Sequence, residues 1–138
     1  MNIKEAKEEL MDYREDMKYI EENMRTLEIA RDNLYSISNV ISDMPIYHDN
    51  SIPDKKAEAI ASIADLSIEI ANRIKKSQEK CKHILVKIDK IPRKFGNVLF
   101  CKYIAGNTFY EIGKKLGYTE DYAKELNGIA LIHYAKIK

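Results

Sequence analysis

The stretch "GNTFYEIGKKLGYTEDYAKEL", residues 106–126, carries two short helical patterns separated by Gly117-Tyr118-Thr119. Thr108 and Glu111 have the spacing of a capping box, in which the Thr hydroxyl accepts from the amide three residues on and the Glu reaches back. Ile112 and Leu116 form the inward face of the helix so started. Gly117 suits a left-handed helix end, and Thr119 is placed to cap the next helix. That helix turns Ala123, Leu126, Ala130, Leu131 and Tyr134 inward. Gly113 stands in mid-helix, where glycine costs about 1 kcal/mol relative to Ala. The expected reason is a close approach of the two helices, with Ala still accommodated and Leu excluded. A three-residue connection is the turn length of a DNA-binding helix-turn-helix.

Upstream, Pro92 fits the first turn of a preceding helix. "PRKFGNVLFCKYIAG", residues 92–106, places Phe95, Leu99, Cys101, Tyr103 and Ile104 along it, and Gly106 ends it. Residues 91–138 are therefore expected to form a trihelical module. Its charge supports a nucleic-acid contact. The whole chain of 138 residues has a net charge of +1, but residues 91–138 hold eight Lys/Arg against four Asp/Glu, and residues 1–90 carry an acidic excess.

Residues 3–41 keep a seven-residue repeat. The a positions are Ile3, Leu10, Met17, Met24, Arg31 and Ser38; the d positions are Ala6, Tyr13, Ile20, Leu27, Leu34 and Ile41. This predicts one long helix of roughly 60 Å with a coiled-coil seam. Its partner is a second helix on which Ile60, Ile63, Leu66, Ile70, Ile74, Ser77, Cys81, Ile84 and Ile88 recur at spacings of three or four. Between them "SDMPIYHDNSIPDKK" breaks the pattern near residues 43–53, with Ser51 a candidate N-cap and Pro53 in the following turn. A short connection predicts an antiparallel hairpin over residues 1–90. Ile37, Val40, Ile41 and Met44 widen the stripe beyond a two-helix seam, so either the C-terminal module packs there or another chain does, and a homodimer is the favoured expectation. The expected fold class is all-α: a long antiparallel, coiled-coil-like hairpin followed by the trihelical module.

Other chemistry finds little footing. "GKK" at residues 113–115 lacks the upstream glycine and the following Ser/Thr of a phosphate loop. Cys81 and His83 point to different faces of a helix, and neither His48 nor His133 has nucleophilic partners. No enzyme, cofactor, metal or small-molecule substrate is expected. The charged N-terminus "MNIKEAKEEL" is unlike a signal peptide, and no apolar run reaches the ~20 residues of a membrane span. The two cysteines fit reduced thiols, though a disulfide is possible by count. The expected location is the bacterial cytoplasm.

The offsets in residues 106–134 resemble region four of bacterial sigma factors. Nearly the whole chain, including Ser42-Asp43-Met44-Pro45, resembles a family of small phage and prophage proteins related to the RinA and ArpU late-gene regulators. The resemblance implies a sigma region-four-like helix-turn-helix, and hence a DNA-binding transcriptional regulator; the alternative is a protein-interaction module contacting RNA polymerase. Carried over, the base-reading candidates on double-stranded DNA are Glu120, Asp121, Tyr122, Lys124, Glu125 and Asn127. The phosphate candidates are Lys102, Thr108, Lys114, Lys115 and Thr119. Three acids at the start of a DNA-facing helix depart from the family pattern. They repel phosphates, yet they can also accept from a cytosine amino group or stabilise the helix N-terminus.

Overall fold

In a computed structural model of the chain, the backbone of residues 1–43 and 51–137 and the side chains of residues 1–36 and 54–137 are described, and every element among them is helical. The chain runs through α1 (Ile3–Asp43), α2 (Ser51–Ile88), α3 (Arg93–Leu99), a π-helical turn (Phe100–Ile104), α4 (Phe109–Leu116) and α5 (Glu120–Lys136). The Ser42–Pro45 turn, His48, the Ser51 and Pro53 side chains and the stripe of Ile37, Ser38, Val40, Ile41 and Met44 lie outside the described side chains.

The expected boundary near residue 90 does not follow the packing. One compact unit joins residues 1–17 with 76–138, and the other is residues 18–75. The reason is a shared core. Ala6, Leu10 and Tyr13 of α1 and Ile84 and Ile88 of α2 cluster with Leu99, Tyr103, Ala130, Leu131 and Tyr134. Each fully buried Leu or Ile of this kind contributes about 1.5–3 kcal/mol. The base of the hairpin and the C-terminal helices thus fold as one body.

Within that body α1 packs on α2 in antiparallel sense. Lys80 donates to Asp12 and Asp16 at 2.8 and 2.6 Å, while Glu9, one turn earlier, meets Lys87 and His83 at 3.2 and 3.3 Å. Glu9 also accepts from the Tyr134 hydroxyl at 3.1 Å, which ties α5 to both hairpin helices. Burial, and then the Glu9 carboxylate, push the Tyr134 hydroxyl far above its ordinary pKa. Tyr13, buried against Cys81, is likewise pushed up to about 12, mainly by desolvation.

The seam departs from the predicted repeat in the second unit. Ile20 and Ile70 are buried, and Arg73 covers the Tyr19 ring at 4.3 Å. The a-position Met24 is exposed, Arg31 likewise, and Asn23, Leu27, Ala30 and Leu34 share the partly buried face. On α2, Ile60 is 49% exposed and Ala59 is partly buried instead. Both helices carry more apolar surface than one seam needs, so periodicity alone does not choose which part faces the partner.

Pro92 serves as the N-cap of α3 rather than its first residue, and its carbonyl accepts from Phe95 and Gly96, each at 3.0 Å. The expected helix over 92–106 then widens. Ala105 N–H donates to Phe100 O, five residues back, and Asn107 N–H to Cys101 O, six back. A Schellman end closes five residues back; the π turn holds one residue more. Gly106, at φ +76°, makes this end, and Arg14 from α1 occupies the space where a Cβ would stand. Arg14 Nη1 donates to the Ile104 carbonyl at 3.2 Å, so a cation satisfies the helix end. Cys81 and Cys101 are free thiols.

Candidate nucleic-acid interface

α4 starts where its sequence signal stands. Thr108 Oγ1 accepts from Glu111 N–H at 3.2 Å, and its hydroxyl donates to Glu111 Oε1 at 3.2 Å. The box therefore closes through the Thr hydroxyl. Asn107 extends it: with its amide set to satisfy both neighbours, it donates to Glu111 Oε2 at 3.1 Å and accepts from Lys115 Nζ at 3.0 Å. Lys115 is thus held within a local network, while still exposed.

α4 ends on Gly117 at φ +78°, and Thr119 Oγ1 accepts from Tyr122 N–H at 3.1 Å to start α5. Between them the backbone folds back hard on α4. Tyr118 N–H donates to Gly113 O at 2.8 Å, and a Cβ on Gly113 would lie 2.5 Å from Tyr118 O. Close approach explains Gly113, but what approaches is the backbone of the turn, Tyr118 and Thr119, rather than the second helix itself. It also corrects the expectation that Ala fits, because the obstacle is backbone that no rotamer change can move.

The inward face of α5 is as predicted: Ala123, Leu126, Ala130, Leu131 and Tyr134 are all buried. The outward face carries Glu120, Asp121, Lys124, Glu125 and Gly128. Lys124 lies 3.7 Å from Glu120, one turn earlier, and both side chains are half exposed. Tyr122 is half-buried and accepts a 2.6 Å hydrogen bond from Lys94, with Tyr118 edge-on to its ring at 5.1 Å. That hydrogen bond raises the Lys94 ammonium above its ordinary pKa. Lys114 and Lys102 sit over aromatic rings, at 4.7 Å from Tyr110 and 4.4 Å from Phe109. Thr108 and Thr119 spend their hydroxyls on helix caps, so any phosphate they meet would meet their backbone amides.

Asn127 must be removed from the exposed candidates. It is 8% exposed and donates to the Tyr103 hydroxyl at 3.4 Å, with its Oδ1 unpartnered. The α-helical period carries it past the outward face and into the core beside Tyr103 of the π turn. Lys94 was missed. It lies 28 residues before Tyr122, and only the packing of α3 on α5 brings the two together. Lys94, Lys102 and Lys114 thus each pack on an aromatic ring, of Tyr122, Phe109 and Tyr110, while Glu120 and Asp121 open α5.

Among the described residues no cluster of His, Cys, Asp and Glu could hold a metal ion, and no helix is long and apolar enough to cross a membrane. Compared with known proteins, the chain matches no protein-family model, no curated protein and no solved structure.

Proposed function

We propose that the chain is a phage- or prophage-type DNA-binding transcriptional regulator in which α4, the turn and α5 act as a sigma region-four-like helix-turn-helix. The observation that supports this reading is the tight turn: a Cβ-excluding contact at Gly113, a left-handed Gly117 and two Thr caps hold α5 with one face wholly outside the core. A helix presented in this way enters a major groove by its N-terminal residues. Lys94, Lys102 and Lys114 would lie along the phosphates. Lys124 and Glu125 would meet base edges, Lys at guanine and Glu at a cytosine amino group.

A second reading has its own support. Glu120, Asp121 and Glu125 are all exposed, and Lys124 is drawn toward Glu120. That acidic helix start fits a basic protein surface, such as one on RNA polymerase, with the helix-turn-helix serving as scaffold. Anisotropy titrations on duplexes flanking the gene, and on scrambled duplexes, at two salt concentrations separate the two. Base reading predicts that Lys124→Ala or Glu125→Ala changes the preferred sequence by about 1–3 kcal/mol, while Lys114→Ala weakens all duplexes alike and flattens the salt slope. Uniform tightening on removal of the acids, with no preferred sequence for the parent, would reject it.

A further inference from the structure

Among the described residues of the second compact unit, residues 18–75, Ile20 and Ile70 are the buried apolar side chains, and Leu27, Leu34, Ile63, Leu66 and Ile74 are partly buried. A helix with apolar surface outside its seam can bury it against a further layer. One face of α2 offers such a surface. Ala57, Ile60, Ala61, Ala64, Ile68 and Ala71 are all exposed. At 3.6 residues per turn they fall within about 100° of the helix circumference, beside the buried seam, and no charged residue of 57–71 falls among them. α1 has no equivalent, since Glu28 and Arg31 fall between its exposed Met24 and Tyr35.

We propose that this face of α2 pairs with the same face of a second copy of the chain, antiparallel, about a two-fold axis at Ala64. Three features favour that occupant. The stripe is self-complementary under the two-fold: Ile60 of one copy meets Ile68 of the other, Ala57 meets Ala71, and Ala64 meets itself. The alanines at its centre allow the helices to approach to about 8 Å, the close end of helix packing. The charges at its ends also match. Asp54 and Lys75, both exposed, flank the stripe at opposite ends, so antiparallel pairing brings each Asp54 level with the partner's Lys75. Parallel pairing would set like charges together. This pairing is isologous, so it closes at two copies.

Sedimentation equilibrium on the full chain is expected to give twice the 16.0 kDa chain mass. Ala64→Glu and Ile68→Glu change exposed residues of the single chain, so each should return the chain to one copy with its circular dichroism unchanged. Asp54→Lys and Lys75→Asp alone should each weaken dimerisation about fivefold, and the double reversal should restore it. A parent chain that stays at one chain mass at its highest soluble concentration overturns the proposal. So does a dimer that survives both Glu substitutions, because another surface then holds it. Failure of the double reversal to restore affinity overturns the antiparallel pairing.

Discussion

Gly113→Ala tests the tight turn, and the structure sets both the sign and the size of the effect. The added Cβ would lie 2.5 Å from Tyr118 O and 3.4 Å from the carbonyl carbons of Tyr118 and Thr119. Carbon–oxygen contacts settle near 3.3–3.6 Å, so the Tyr118 carbonyl must retreat by roughly 1 Å. It cannot do so alone. The same peptide segment holds the 2.8 Å bond from Tyr118 N–H to Gly113 O and leads straight into the Thr119 cap. Overpacking of this kind costs about 1–3 kcal/mol, about 2–3 kcal/mol here because the obstacle is backbone, and the gain in helix propensity returns about 1 kcal/mol. The net expectation is a loss of about 1–2 kcal/mol. In a chain of 138 residues that lowers the melting temperature by about 3–8 °C. Gly128→Ala is the matched control, because a Cβ there meets nothing within 4 Å. It should raise stability by about 0.5–1 kcal/mol. Thermal and urea melts of the two variants followed at 222 nm should therefore move in opposite directions. A Gly113→Ala variant as stable as the parent would refute the steric account of the turn.

Three further outcomes follow from the first compact unit. Glu9→Gln leaves the buried Lys87 ammonium without its carboxylate and weakens the Tyr134 bond, so urea melts should show a loss of about 2 kcal/mol. Tyr13 is neutral when folded, and its hydroxyl is held up to about 12 by burial. The stability this supplies is complete below the unfolded Tyr pKa of about 10 and is lost as pH rises from there through the folded value, so Tyr13→Phe should flatten that decline by about 2 kcal/mol in melts from pH 9 to 12. Asn127→Ala should lower stability by about 1 kcal/mol through the lost Tyr103 bond and a small cavity, yet leave the DNA sequence preference unchanged; a changed preference would return Asn127 to the interface.

What was legible in the sequence was what is local in the chain. Thr108, Gly117 and Thr119 mark their helix ends because a cap joins residues three or four apart, and all three act as read. The inward face of α5 follows from period alone. The hairpin seam was legible where both sides are tightly packed, at Ala6, Leu10, Tyr13, Ile20, Ile70 and Ile84, and failed at Met24 and Ile60. There the apolar arc exceeds one contact face, and the choice depends on what lies opposite. The candidate interface was less legible. Lys94 reaches Tyr122 across 28 residues, and Asn127 meets Tyr103 across 24. No sequence period encodes the Lys94–Tyr122 pair, so Lys94 was missed; the period of α5 does set Asn127 among Ala123, Ala130 and Leu131, and only the family resemblance put it on the surface.

The widened turn at Phe100–Ile104 bears on insertions and deletions. A π turn is an α turn with one spare residue. Loss of a single residue there leaves the chain a ready alternative, an ordinary α turn running into the same Gly106 end. The equivalent loss within α5 has no such outlet. Every later side chain would swing by about 100°, carrying Ala130, Leu131 and Tyr134 off the core they share with α1. Single-residue gaps should accordingly be tolerated unevenly along these helices, with the spare residue acting as a length buffer between the hairpin base and the helices that follow.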